Sequence, residues 1–221
     1  MASFTLLDNL DRAELESKIL ELEQLVATAD VPRVYFTGPL PTTKDDVLAE
    51  MTYVSKTETF HCYITIKCQG TSSMSYPKKN FTIKLFQDAD RTIKLKKDFI
   101  GWGPQNKFCL KANYIDCTHA RNIICARLWS DACSTRENLN ERLAAAPNNG
   151  AIDGFLIKVY ANGVYQGLYT WNIPKDGWMF DMEDNGNEAV YCCEVQTAPG
   201  QFRQEVLANG NDWSLEFPDE E

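Results

Sequence analysis

Apolar residues at every second position, on both sides of one polar loop, constrain the fold of this chain most strongly. The alternation runs through residues 62–67 and again through residues 81–85. A period of two is typical of strands that bury one face. Lys67 and Lys84 fall on polar positions, so their side chains are predicted to point away from the buried face.

A second hairpin is indicated further along the chain, where two apolar runs flank the dipeptide Asn162-Gly163. Asn and Gly tolerate the positive φ angles of a tight hairpin turn, so residues 155–160 and 164–171 are predicted to pair. The other predicted strands are short and cover residues 34–36, 53–54 and 107–113.

Helical segments are predicted to pack on these strands. Asp116 or Thr118 can cap a helix that continues to about residue 133. Ala120, Ile124 and Leu128, spaced four residues apart, are predicted to form its inward face. One or two further helical turns are indicated within residues 139–146. The chain is therefore predicted to have an α+β fold, with antiparallel strands and one or two packed helices.

The first thirty residues are predicted to be separate from a globular domain at residues 31–221. Within residues 8–27, apolar side chains spaced four, three and four apart predict an amphipathic helix. These side chains are Leu15, Ile19, Leu22 and Val26. Because two heptads are too few for an isolated coiled coil, the helix should pack on its own domain or join a homo-oligomer. Self-association is the preferred interpretation.

The formal net charge of the chain is -9, but one stretch of it, which we call the basic island, carries a net positive charge. Residues 62–127 hold 12 Lys and Arg against 4 Asp and Glu, and the rest of the chain holds 10 against 27. Such an island raises the local concentration of an anionic ligand, although a solvated lysine-rich face has the same composition. The acidic remainder argues against a nucleic-acid partner.

No targeting or membrane segment is predicted. The first twenty residues carry four acidic side chains and lack the basic start and apolar stretch of a secretory signal. No stretch reaches the length of a membrane span. We therefore expect a cytoplasmic protein without a membrane partner.

Metal sites are not predicted. The eight cysteines lie in apolar surroundings, and a chain of this size does not need disulfides, so most should be reduced and buried. No cysteine pair has the spacing of a zinc site, and the chain has only two histidines. Residues 181–186 imitate the start of a calcium loop, but Cys192 stands where a bidentate glutamate is needed.

The loop at residues 69–79 has the composition of an anion site. Gly70 permits close approach of a ligand to the backbone, and the hydroxyls of Ser72 and Ser73 can donate hydrogen bonds. Lys78 and Lys79 add positive charge. The loop lacks the Walker order of residues and joins two predicted strands. The residues alone leave open a phosphate or nucleotide site and a merely solvated loop.

Three sequence blocks, in this order, resemble the CotH (spore coat protein H) kinase family. The blocks are GTSSMSYPKKNFTIKL at residues 70–85, LKANYID leading to ARN at residues 110–122, and VYANGVYQGLY at residues 159–169. The resemblance covers residues 62–173. The long N-terminal helix is similar to that of phage-associated and gut-bacterial members, which implies a virion-associated location as the alternative to the cytoplasm.

The resemblance implies a kinase-like fold that transfers the γ-phosphoryl group of ATP to protein serines, with Mg²⁺ as the metal. A β-rich first lobe supplies the basic groups that hold the phosphates. The predicted nucleotide-binding residues are Lys79, Lys84, Lys78, Arg121, Ser72 and Ser73.

The family's metal-binding and catalytic aspartates belong to its second lobe, and no matching block is found in this sequence. We therefore expect this chain alone to bind nucleotide without transferring phosphate, and no catalytic residue is predicted. The alternative is a non-catalytic phage or bacterial structural or attachment protein that reuses the lobe, with residues 8–27 as its oligomerisation segment.

Overall fold

The computed structural model describes residues 31–183, 185–193 and 213–218. The helix predicted at residues 8–27 lies outside these ranges. The chain divides into two compact units. The first comprises Met1–Ile123 and Gly154–Ile173, and the second comprises Ile124–Asp153 and Pro174–Glu221.

Seven strands of the first unit close into a barrel. They are β1 (Arg33–Thr37), β2 (Val47–Val54), β3 (Thr59–Gln69), β4 (Asn80–Phe86), β5 (Lys107–Lys111), β6 (Gly154–Ala161) and β7 (Val164–Asn172). Their order is β1-β2-β3-β4-β5-β7-β6, and β6 pairs with β1 to close the barrel. The β1–β6 pair is parallel, which differs from the antiparallel arrangement predicted, and the other pairs are antiparallel.

The barrel interior is apolar because each strand alternates between an inward and an outward side chain. Ile64 and Ile66 of β3 and Ile83 of β4 are fully buried. Lys67 and Lys84 are only half-buried and occupy the alternate, outward positions. The alternation that predicted these strands is thus confirmed.

The predicted Asn-Gly hairpin is confirmed between β6 and β7. Asn162 and Gly163 adopt φ angles of 49° and 78°, the positive values that the turn requires. The Asn162 side chain also holds the end of β1, since its Oδ1 accepts from Gly38 N at 3.0 Å and its Nδ2 donates to Gly38 O at 2.9 Å. This turn therefore supports the parallel pair that closes the barrel.

The described cysteine side chains are free thiols, and the prediction that they are buried holds for most of them. Cys62, Cys68, Cys109 and Cys133 are buried, whereas Cys117 and Cys125 are exposed. Burial raises the pKa of the Cys62 thiol from 9.0 to about 12, and the nearby Lys97 charge opposes that shift only in part. The folded protein therefore retains the Cys62 proton at pH values where the unfolded chain loses it.

We expect the free energy of unfolding to fall as the pH rises from 8 to 10.5, by about 2 kcal/mol from Cys62. The sign follows because the unfolded chain binds fewer protons than the folded one above pH 9. Denaturant titrations at both pH values should show a smaller loss for Cys62→Ala than for the unsubstituted protein. Tyr53 and Tyr169, whose pKa values burial raises to about 12, add to the loss in both proteins and cancel in the comparison. An identical loss in the two proteins would contradict the assignment.

The second unit contains most of helix α1 (Arg121–Ser134), together with helix α2 (Glu141–Ala145). Its strands β8 (Val190–Cys193) and β9 (Trp213–Phe217) form an antiparallel pair. The described part of the chain is thus β-rich with short helices, which is broadly the predicted α+β class. No helix in these ranges is both long and apolar enough to span a membrane.

The predicted inward face of α1 is wrong. Ile124 and Leu128 are 54% and 62% exposed. The buried side chains are Ile123, Ala126, Ser130 and Cys133. Apolar residues occupy two adjacent faces of this helix, and the face with the smaller side chains is the buried one. Sequence spacing alone does not choose between two such faces.

Candidate nucleotide-binding site

The loop at residues 69–79 connects two paired strands at one end of the barrel. Gln69 at the end of β3 is the register partner of Asn80 at the start of β4. Between them, Ser72–Ser75 forms one 3-10 turn. Gly70 has a φ of +103°, and a Cβ atom there would lie 2.1 Å from the Ser73 Oγ atom. The tight entry into the loop therefore requires glycine.

The serine hydroxyls of the loop differ in their surroundings. Ser73 Oγ donates to the carbonyl of Gln69 at 3.3 Å, so this hydroxyl stabilises the loop itself. Ser75 Oγ donates to the carbonyl of Ser72 at 2.8 Å. Ser72 is exposed. Of the two serines predicted to bind a ligand, Ser72 is the one that faces solvent.

Lys79, the last residue of the loop, is held by carbonyl groups of the loop itself. Its Nζ donates to the carbonyls of Met74 and Tyr76, each at 2.6 Å. These contacts close the 3-10 turn and hold the ammonium group beside it. A lysine ammonium has three N–H donors, so two carbonyls leave one donor for a ligand.

Lys78 makes different contacts from its neighbour Lys79. Its Nζ donates to the carbonyls of Ala112, at 3.3 Å, and Leu168, and lies 4.1 Å from the centre of the Tyr169 ring. Burial lowers the pKa of the Lys78 ammonium group. Lys78 therefore ties the loop to β7 and to the segment after β5. Its charge-assisted contacts are structural in this arrangement.

The segment after β5, residues 112–120, lies against the loop. The Ala112 N–H donates to Asn80 Oδ1 at 2.7 Å, and the Tyr76 and Tyr114 rings stack with centroids 5.1 Å apart. Burial and the Lys78 charge lower the pKa of His119 in the same segment. We call the loop at residues 69–79 and the segment at residues 112–120 together the clasp.

Helix α1 begins directly after the clasp, and its cap accounts for a conspicuous aspartate. Asp116 Oδ2 accepts from the Arg121 N–H at 3.1 Å, and Oδ1 accepts from the Thr118 hydroxyl at 2.7 Å. The Thr118 bond is the main cause of the lowered pKa of Asp116. Asp116 thus satisfies the N–H of Arg121, the first helical residue, but it lies five residues before Arg121 and does not occupy the N-cap position itself. The Arg121 Nε atom lies 3.5 Å from Asp116 Oδ1, and this side chain is largely exposed.

Lys84 lies apart from the other predicted site residues. It occupies the outer face of β4, where its register partners are Thr65 on β3 and Lys107 on β5. It lies five positions after Lys79 in the sequence, which corresponds to roughly 17 Å of extended chain. Ser72, Ser73, Lys78 and Lys79 lie in the loop of the clasp, and Arg121 directly follows the clasp, but Lys84 is not part of this group.

Carboxylates near the matching blocks have structural partners. Asp153 Oδ1 accepts from Arg127 Nε at 3.0 Å, and Asp176 Oδ1 accepts from the Gly177 N–H at 2.6 Å. Glu188, next to the calcium-like sequence, binds the Arg142 guanidinium. Among the residues that the structure describes, no three His, Cys, Asp or Glu side chains are grouped as a metal site requires.

The barrel and the clasp define a β-rich domain with a lysine-bearing loop at one end. The family model described as "CotH kinase protein" matches residues 66–172. This segment runs from within β3 to the end of β7 and includes the loop, the Asn-Gly hairpin and most of the barrel. The resemblance drawn from the three sequence blocks is thus confirmed: residues 66–172 match the CotH kinase family. A search of curated proteins found no match.

Proposed function

We propose that this chain is a nucleotide-binding lobe of the CotH kinase family and that the clasp holds the phosphates of ATP. The observation that carries the proposal is the position of Lys79. Its ammonium is held by the Met74 and Tyr76 carbonyls, at 2.6 Å from each, in the loop that also carries the exposed Ser72. A charge that is already fixed in place loses little freedom when an anion binds.

The surroundings of Lys79 also favour an anion. Lys78 contributes a second ammonium to the same loop, and the exposed Arg121 side chain follows the clasp. Lys84 is on the outer face of β4, roughly 17 Å of extended chain from Lys79, so we do not assign it to the same phosphate chain. We therefore assign the phosphates to the clasp and treat Lys84 as a separate candidate.

Mg²⁺ is the metal that the family implies, and it binds oxygen ligands with several waters and substrate phosphates. No carboxylate cluster is present in the described ranges, so the residues offer no protein cage for the ion. We propose that Mg²⁺ arrives with the nucleotide, coordinated by phosphate oxygens. The role of the chain is then to bind and orient the phosphates.

We also propose that this chain does not transfer the phosphoryl group without a further component. Support comes from Asp116, Asp153 and Asp176, whose carboxylates cap a turn or helix or pair with arginine. A carboxylate that orients the attacking hydroxyl must be available to substrate. Incubation with Mg-ATP labelled at the γ-phosphate and a serine-rich acceptor should give no label above the background. Robust incorporation would refute this part of the proposal.

Lys79→Met is expected to weaken Mg-ATP binding roughly 10-fold to 100-fold, because one charge-assisted contact is lost. Methionine preserves most of the side-chain stem, and Lys79→Arg should retain most of the affinity. Lys84→Met is the matched control, since it removes the same charge from β4, outside the clasp. Calorimetric titrations at one ionic strength measure all four proteins, and melting curves verify their folding.

Two results would contradict the assignment of the phosphates to the clasp. The first is a Lys79→Met protein that folds and binds Mg-ATP as well as the unsubstituted chain. The second is a greater loss in Lys84→Met than in Lys79→Met, which would place the anion on the outer face of β4.

A structural or attachment protein that reuses the lobe is the second candidate. The exposed Ile124 and Leu128 side chains of α1 favour it, because apolar patches on a protein surface often mark assembly contacts. Such a protein would form oligomers through residues 8–27 and would show no affinity for Mg-ATP.

A further inference from the structure

Two large side chains of the clasp are exposed to solvent. Tyr114 and Ile115 are 50% and 74% exposed. They are the central residues of a turn that is closed by a 2.9 Å hydrogen bond from the Asp116 N–H to the Asn113 carbonyl. Central turn positions usually take Gly, Asn, Asp, Ser or Pro. An exposed aromatic and aliphatic pair at such a position is therefore a candidate contact surface.

The Tyr114 ring is held in a fixed position. Tyr76 stacks on it with an angle of 24° between the ring planes. The turn itself is anchored by Asn113, whose Nδ2 donates to Thr170 Oγ1 at 3.2 Å, and by the bond from the Ala112 N–H to Asn80. Because Tyr76 covers one face of Tyr114 while half of the residue stays exposed, the ring is a pre-ordered surface for a second flat group.

Two lysine ammonium groups contact the backbone near this pair of rings. Lys79 Nζ contacts the carbonyl of Tyr76, the residue that supports Tyr114. Lys78 Nζ contacts the carbonyl of Ala112, two residues before Tyr114. A ligand that suits both features has a flat ring joined to an anionic chain, which is the composition of a nucleoside triphosphate.

We propose that the base of the nucleotide stacks on Tyr114 while its phosphates occupy the clasp; this inference rests on the proposed function. Stacking depends on the area of the ring and not on its hydrogen-bonding edges. The site should therefore accept adenine and guanine alike, bind uracil less well, and bind a phosphate chain without a base least well.

The test compares Mg-ATP, Mg-GTP, Mg-UTP and Mg-tripolyphosphate by calorimetry at one ionic strength. The unsubstituted chain should bind the two purine nucleotides with similar affinity, and roughly tenfold more tightly than tripolyphosphate. Tyr114→Ala should remove this advantage and leave tripolyphosphate binding unchanged. Tyr114→Phe should preserve it, because the ring remains. Tyr165→Ala, which removes another exposed tyrosine from the same unit, is the control. It should leave the affinities for the purine nucleotides and for tripolyphosphate unchanged.

The outcomes separate this inference from the function on which it rests. If tripolyphosphate and Mg-ATP bind equally well to the unsubstituted chain, the clasp binds phosphates and the base-stacking proposal is wrong. The proposal is also wrong if Tyr114→Ala leaves the advantage of Mg-ATP intact. If none of the four ligands binds, the proposed function fails and the stacking proposal fails with it.

Discussion

Trp171→Ala is expected to lower the free energy of unfolding by about 3–5 kcal/mol, the largest effect of any substitution considered for this protein. Trp171 has an exposed fraction of 0% on β7. Its ring lies 5.2 Å from the Phe108 ring and 5.3 Å from the Phe99 ring, measured between centroids. Because aromatic side chains surround the position, alanine would leave a cavity that the barrel cannot close.

Two controls distinguish lost packing from other effects of the Trp171 substitution. Trp171→Phe keeps a ring and removes Nε1, a buried atom without a hydrogen-bond partner among the described residues, so its loss should be smaller. Tyr165→Ala, on the exposed side of the same strand, should cost less than about 1 kcal/mol. Denaturant unfolding followed by circular dichroism measures all three, and similar losses for Trp171→Ala and Tyr165→Ala would contradict a closed, packed barrel.

Gly154→Ala is expected to destabilise the protein by about 2–3 kcal/mol. Gly154 begins β6 and is the register partner of Asn172 on β7. A Cβ atom at position 154 would lie 2.7 Å from Asn172 Oδ1 and 2.8 Å from the backbone carbonyl of Trp171. The carbonyl belongs to the paired strand and cannot move without disturbing the sheet. The substitution should therefore separate β6 from β7 where the two strands meet.

Gly101→Ala is the matched control for Gly154→Ala. A Cβ atom at position 101 would meet nothing within 4 Å, but the φ angle there is +84°. The control therefore measures backbone strain alone, at about 1 kcal/mol. Equilibrium unfolding of the two variants should show the greater loss for Gly154→Ala. The reverse order would mean that the close approach of β6 and β7 is incorrect.

The strands could be predicted from the sequence, but the closure of the barrel could not. Alternation depends only on which face of a strand is buried, so it identified β3, β4 and the β6–β7 hairpin. The parallel pairing of β1 with β6 joins segments far apart in the chain, and alternation carries no information about the partner of a strand. The buried face of α1 was predicted wrongly for a similar reason, because Ile124 and Ile123 lie on adjacent faces of the helix and are equally apolar.

The place of the loop between two strands could be predicted, but not the contacts that its residues make. Glycine, serines and lysines in one loop indicated an anion site, and the loop does lie between two paired strands. Lys78 and Lys79 are adjacent in sequence and yet bind different carbonyls, which depends on tertiary contacts with Ala112 and Leu168. Tyr114 was not singled out because its stacking partner Tyr76 is distant in sequence.

The most direct test of the central claim is a calorimetric titration of the unsubstituted chain with Mg-ATP at low and at moderate ionic strength. A clasp that holds phosphates through lysine predicts saturable binding of one nucleotide per chain, with an affinity that falls as salt screens the charges. The absence of saturable binding at millimolar Mg-ATP would contradict the account, as would an affinity that does not change with salt.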